Sequence, residues 1–197
     1  MIKRVQDIAS DVIERLHRWV RKDEAPVLIA LDGRSRVGKS TIAQAIAARL
    51  DATVIAGDDF YSGGSHVHDD LTPEDLVDLC LDRDRLQSVL KDLKAGADAR
   101  FAPFDWTAFD GRRTERETIL PARAALVLEG VYAFHPDFRD LVDLAILVET
   151  PRAIRMQRLL TREGEISTWE QQWLRAEAWY FANLAPVEVF HHHIVNA

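Results

Sequence analysis

The apolar run Val27-Leu28-Ile29-Ala30-Leu31, followed closely by the octet G-R-S-R-V-G-K-S at residues 33–40, constrains this chain more than any other feature. Five consecutive apolar residues behind Pro26 predict a strand buried on both faces, as in a parallel sheet covered by helices. Past the octet, residues 41–50 are rich in Ala, carry Ile42, Ile46 and Leu50 at helical spacing, and contain neither Gly nor Pro. Strand, loop and helix therefore follow one another in the order that an α/β layered fold requires. The octet fits G-x-x-x-x-G-K-[ST], and each fixed letter has a physical job. Backbone N–H groups turn inward around an anion, Gly33 and Gly38 permit close approach, Lys39 reaches the outer phosphates of a nucleotide, and Ser40 holds Mg²⁺. The expected nucleotide-binding residues are Gly33, Arg34, Ser35, Arg36, Val37, Gly38, Lys39, Ser40 and Thr41.

A chain of 197 residues with 47% hydrophobic content buries one full core, so a single domain over 1–197 is expected. The formal charge of −7 argues against broad nucleic-acid binding, which needs a basic face. The one cysteine, Cys80, lies in an apolar stretch; it has no internal disulfide partner and is expected in the core of a protein kept in a reducing compartment. No apolar run reaches the roughly 18 residues of a membrane span, and residues 1–22 place Ile2, Val5, Ile8, Val12, Ile13, Leu16 and Trp19 at helical spacing among charges. That is an amphipathic helix packed on the sheet rather than a leader or a membrane anchor. A cytoplasmic location follows as an expectation, with no nucleic-acid or membrane partner; the sequence is compatible with a homodimer. His191-His192-His193 are adjacent and cannot share one face of a helix or strand, which argues against a metal site there.

Apolar runs suited to parallel strands recur at 27–31, 53–56, 124–128, 144–148 and 193–195, separated by helical segments at 41–50, 73–81, 83–94, 151–162 and 168–184. This pattern predicts a doubly wound five-stranded sheet. Residues 100–120 differ: aromatics, an Asp110-Gly111 turn and a Thr/Arg/Glu alternation predict a small antiparallel hairpin. In open α/β sheets ligands bind beyond the carboxyl ends of the strands, and three of these runs end in acids, at Asp58-Asp59, Glu129 and Glu149. Phosphoryl transfer needs a metal, cations on the moving group, and something to orient or deprotonate the acceptor. Asp58 or Asp59 suits the last role, the other acid assisting Mg²⁺, and Glu129 suits a metal-bound water. The expected metal residues are thus Ser40, Asp59 and Glu129. Arg152, Arg155, Arg158 and Arg162 gather along one side of a helix. Either they form a solvated face, or a lid over about 152–165 brings Arg155, Arg158 and Arg162 onto the phosphates, where guanidinium groups stabilise charge and closure excludes water.

The octet together with Gly57-Asp58-Asp59-Phe60-Tyr61, Leu128-Glu129-Gly130 and Arg155-x-x-Arg158-x-x-x-Arg162 resembles the uridine kinase-like family, which includes nucleoside, nicotinamide riboside, pantothenate and phosphoribulose kinases. The likeness spans roughly residues 25–162. It implies a P-loop NTPase three-layer sandwich with a five-stranded parallel sheet, a small antiparallel hairpin on the substrate side and a helical lid. It also implies ATP and Mg²⁺ as cofactors, transfer of the γ-phosphate to a hydroxyl of a small acceptor, and Asp58 as general base beside Lys39 and Arg158 as catalytic residues. Asp58, Tyr61, Asp82, Phe104, Asp105, Trp106 and Arg158 are the substrate residues by the same likeness. Phe104 stands where similar nucleoside kinases carry Tyr, and Phe109 stands about where they carry a base-reading His. An aromatic-lined pocket of this kind selects by shape and stacking, which argues against uridine or cytidine as acceptor.

Beyond Arg162 the likeness fades; Trp169, Trp173 and Tyr180 fall at helical spacing and are expected to form a core face, with Glu177 and Tyr180 open as lid or substrate contacts. Two other functions stay open. A nucleotide-binding regulatory ATPase or switch is one, although the Asn-Lys-x-Asp and Asp-x-x-Gly signatures of guanine switches are absent. A nucleoside monophosphate kinase is the other, and its phosphate acceptor needs no base at Asp58.

Overall fold

The computed structural model describes residues 25–196 together with Ser10, Ile13 and Glu14. The amphipathic helix expected over 1–22 otherwise lies outside the described residues. Among residues 25–196, seven strands and five α-helices follow in the order β1 (Val27–Asp32), α1 (Lys39–Leu50), β2 (Thr53–Ala56), α2 (Pro73–Cys80), α3 (Arg83–Lys94), β3 (Ala99–Phe101), β4 (Thr118–Leu120), β5 (Ala125–Gly130), β6 (Leu144–Glu149), α4 (Arg152–Glu163), α5 (Thr168–Asn183) and β7 (His192–Val195). Short 3₁₀ turns lie at Gly57–Phe60, Pro136–Leu141 and Val187–Val189.

The main sheet has the order β2-β5-β1-β6-β7, and every pairing in it is parallel. Successive residues of β1 point to opposite faces, which explains why the run is apolar throughout. Leu28 and Ala30 pack with Leu76, Leu86, Leu90, Ala176 and Tyr180 from α2, α3 and α5. Ile29 and Leu31 pack on the other face with Ile42 and Ile46 of α1, and Ile13 joins them there. The result is three layers with a hydrophobic core on each side of the sheet. Each fully buried Leu or Ile in it is worth about 1.5–3 kcal/mol of transfer free energy.

Local chemistry sets the helix ends. A capping box between Thr72 and Asp75 starts α2 with Pro73 in its first turn, and Ser167 with Glu170 starts α5 in the same way. Strand β1 runs one residue past the apolar stretch, so Asp32 is its last member and is itself fully buried. Helix α1 begins at Lys39 rather than at residue 41, inside the octet. The hairpin expected over 100–120 is present as β3 and β4, but with only three residues per strand. Its intervening segment folds on side chains instead: Asp105 Oδ1 accepts from the amides of Thr107 and Ala108, both at 3.0 Å, and Phe104 bridges to Arg113. Cys80 is buried and its thiol is pushed up to about 12 by that burial, which fits a core residue rather than a nucleophile.

Candidate active site

The octet forms a tight loop between β1 and α1. At Gly33 a side chain has no room, because an added Cβ would run into the carbonyl of Val148. Gly38, the N-cap of α1, sits at φ +93°, in the left-handed region that favours glycine. No side chain caps α1 and its first turn carries no acid, so the amides and the positive end of the helix dipole are left facing the loop. Lys39 is nearly buried and its ammonium donates to the carbonyls of Gly33 (2.8 Å) and Arg34 (3.0 Å). It is thereby held over the loop with one donor left to give.

Three carboxylates converge on this loop from neighbouring strand tips. In the register, Glu129 of β5 stands beside Leu31 of β1 and Ala56 of β2. Asp58 and Asp59 follow in the 3₁₀ turn after β2. All three line a cavity of about 980 Å³ together with Ser35, Arg36, Gly38, Lys39, Ser40 and Thr41. That volume suits a nucleotide with a small co-substrate. Burial raises the pKa of Glu129, while Lys39 and a hydrogen bond to Ser40 pull it down. Asp59 is raised by burial and by the adjacent Asp58 and is lowered by Arg85. A hydroxyl and carboxylates are hard oxygen donors of the kind Mg²⁺ takes, so the residues present fit that ion. Among the described residues no group of three His, Cys, Asp or Glu could hold a metal alone.

Helix α4 borders the cavity and contributes Arg155, Arg158 and Arg162 to its lining. They differ in state. Arg158 donates to the carbonyl of Arg36 at 3.2 Å, and Arg36 in turn pairs with Glu163 of the same helix. Arg162 keeps a largely exposed side chain near Glu163. Arg155 departs from the expectation of a free lid residue: it is buried and its guanidinium meets Glu177 of α5 at 3.2 Å.

Several expected residues do not line the cavity. Arg34 points its guanidinium over the ring of Phe181, 4.9 Å from its centre, on the far side of the loop. Asp82 caps α3 through the amide of Arg85 (3.3 Å) and pairs with Arg113 at 2.6 Å, so its carboxylate is spent on structure. Asp105 is used in the hairpin turn. Tyr61 and Phe104 are buried behind the wall: Tyr61 stacks on Trp106 at 5.1 Å, and Phe104 meets the edge of Trp106 at 4.8 Å. Gly33 and Val37 contribute the loop's form rather than its lining. Trp106 is in the lining, as expected, and Phe109 with it.

Helical periodicity assigned Trp169 and Trp173 to a core face; both pack partly buried against the core and also line the cavity. Trp169 and Trp173 stack on each other at 5.7 Å and face the cavity, whereas Tyr180 of the same stripe is fully buried. Asp32 and Glu177, both fully buried, hold the loop from beneath. The acid immediately before the octet is the one local signal for Asp32; Glu177, open in the sequence as a lid or substrate contact, meets Arg155 of α4, while Tyr180 is buried away from the cavity.

A parallel five-stranded sheet with this loop at the end of its central strand defines a P-loop protein, and the fold recurs among P-loop kinases. A protein described as a possible uridine kinase from Bacillus stearothermophilus superposes with TM-score 0.69 at 17% identity, covering 96% of both chains. The D-glycerate 3-kinase of Cryptococcus neoformans var. grubii superposes with TM-score 0.62 at 13% identity, over 91% of this chain and 88% of the other. In sequence the chain is 34% identical over 146 residues to a uridine kinase of Chlamydia pneumoniae, a match that covers 70% of this chain and 64% of that relative. A uridine kinase of Staphylococcus epidermidis is 28% identical over 142 residues, covering 69% and 68%. No protein-family model matches the chain. On this combined likeness the chain has the fold of P-loop kinases and is similar in sequence to uridine kinases.

Proposed function

We propose that the protein is an ATP-dependent kinase that transfers the γ-phosphoryl group to a hydroxyl of a small acceptor. The observation that carries this reading is the meeting of Asp58, Asp59 and Glu129 with Lys39 and Ser40 around one cavity. A switch or a slow ATPase needs no wall for a second substrate, yet Trp106, Phe109, Trp169 and Trp173 line the same space. A phosphate acceptor would have no use for a carboxylate base at Asp58.

In this reading the loop amides and Lys39 bind and orient the triphosphate, and Arg158 and Arg162 balance its charge from the lid. Ser40 and Glu129 would hold Mg²⁺, which when bound supplies charge neutralisation on the phosphate oxygens. Asp58 accepts the proton as the acceptor oxygen forms its bond to phosphorus. The bond between the γ-phosphorus and the bridging oxygen breaks, and ADP leaves with that electron pair. Asp59, the other acid of the pair, would assist Mg²⁺ through water. The tryptophans exclude water, so transfer outcompetes hydrolysis. Their flat faces suit an acceptor with a ring to stack, a nucleoside-like compound or another cyclic alcohol.

The test is incubation of the purified protein with MgATP and a panel of alcohol metabolites, read by mass spectrometry for addition of one phosphate. One acceptor is expected to drive ATP consumption, to be lost in Lys39→Ala, and to slow by at least about a hundredfold in Asp58→Asn, the usual loss for a positioned base. ATP hydrolysis that no acceptor stimulates would favour the regulatory ATPase instead.

A further inference from the structure

Two side chains of α5, one helical turn apart, reach under the loop. Glu177 is fully buried and accepts from four donors: the Ser35 amide (2.7 Å), the Ser35 hydroxyl, Trp173 Nε1 (2.9 Å) and Arg155 Nη1 (3.2 Å). Tyr180 is fully buried and donates its hydroxyl to Asp32 Oδ2 at 2.7 Å. Asp32 in turn accepts from the amide of Gly33 at 2.7 Å and from that of Phe134 at 2.9 Å. Gly33 and Ser35, the first and third residues of the loop, are therefore tied to one helix through two buried carboxylates. A buried carboxylate with three or four donors is a rigid junction, because losing any donor leaves charge uncompensated.

We infer that α5 sets the shape of the phosphate loop, with Glu177 and Tyr180 as positioning residues, Glu177 also coupling the loop to Arg155 of the lid helix. The inference rests on reading that loop as the nucleotide site. Neither side chain lines the cavity, so each acts through another: Glu177 through Ser35 and Arg155, Tyr180 through Asp32 and Gly33. Trp173 adds a direct link, since it lines the cavity while its N–H donates both to Glu177 and to Ser35 Oγ (2.9 Å). Seating a ligand against Trp173 thus bears on the same junction that holds the loop.

Glu177→Gln and Tyr180→Phe in the full chain test this, with Asn183→Ala, on the exposed end of α5, as control. Without nucleotide, hydrogen exchange of amides 33–38 is expected to quicken about tenfold or more in both variants and to stay unchanged in the control, the size expected for a lost bond to a charged group. MgATP affinity by calorimetry is expected to fall by a similar factor, with the folded protein retained by circular dichroism. In Tyr180→Phe alone the acid limb of MgATP affinity should move to higher pH, because Asp32 loses a donor that favours its ionised form. Lys39, Tyr132 and Tyr180 are the titratable groups facing Asp32. Unchanged exchange and affinity in folded variants would overturn the inference, as would a merely lower melting temperature with both intact. Wild-type protein that binds no MgATP would instead remove the nucleotide reading, while the exchange data still judge the junction. If Glu177→Gln does not fold, Tyr180→Phe carries the test.

Discussion

The indole N–H of Trp106 donates to the backbone carbonyl of Asp58 at 3.3 Å, so the hairpin segment that walls the cavity also steadies the residue proposed as base. The ring of Trp106 is stacked between Tyr61 at 5.1 Å and Phe109 at 5.8 Å, which fixes that donor in place. Removing the ring and removing only the donor are therefore separable. Trp106→Phe is expected to keep the acceptor KM within about twofold and to lower kcat by about three- to tenfold, the worth of one ordinary hydrogen bond. Trp106→Ala is expected to raise the acceptor KM by about tenfold or more as well. Steady-state kinetics on the two variants checks this; equal effects on KM would mean that the ring does not touch the acceptor.

His135 gives the protein a pH-dependent stability. Its ring is buried, its Nδ1 accepts from the Asp137 amide at 3.3 Å, and burial lowers its pKa from 6.5 to about 4. Above pH 6.5 the ring is neutral folded or unfolded and contributes nothing. Below it the unfolded chain takes up a proton that the folded one refuses, so stability falls as pH drops toward 4. By pH 4.5 the loss is on the order of 2–3 kcal/mol. His135→Asn keeps an acceptor for the Asp137 amide and abolishes the titration. Urea unfolding at pH 7 and 4.5 should show a smaller difference in the variant than in the wild type, whatever its absolute stability; parallel losses would contradict the assignment.

Much of this architecture is legible along the chain because its signals are local. A strand buried on both faces writes itself as a continuous apolar run, and the loop after it is spelled in eight residues. The lid arginines are spaced by the helix that carries them. What is not legible depends on partners far apart in sequence: Glu177 meets Ser35 across 142 positions, and Tyr180 meets Asp32 across 148. Trp169 and Trp173 show the same limit in another form. A stripe that lines a cavity and a stripe that fills a core have one periodicity, and only the fold decides that these rings face open space while Tyr180 does not. Asp82 and Asp105 illustrate the converse, since a carboxylate near a site is as readily consumed by a helix cap, an arginine or a turn.

The cradle formed by the octet beside Glu129, Asp58 and Asp59 is the centre of the proposed chemistry. A crystal structure of the protein with Mg²⁺ and a non-hydrolysable ATP analogue tests it most directly. The prediction is a triphosphate wrapped by the amides of residues 36–40, with Lys39 and Arg158 on its outer oxygens and the metal beside Ser40 and Glu129. Asp58 should face the terminal phosphate across the space walled by Trp106 and Trp169. A nucleotide bound elsewhere, or a loop left empty at saturating analogue, would contradict it.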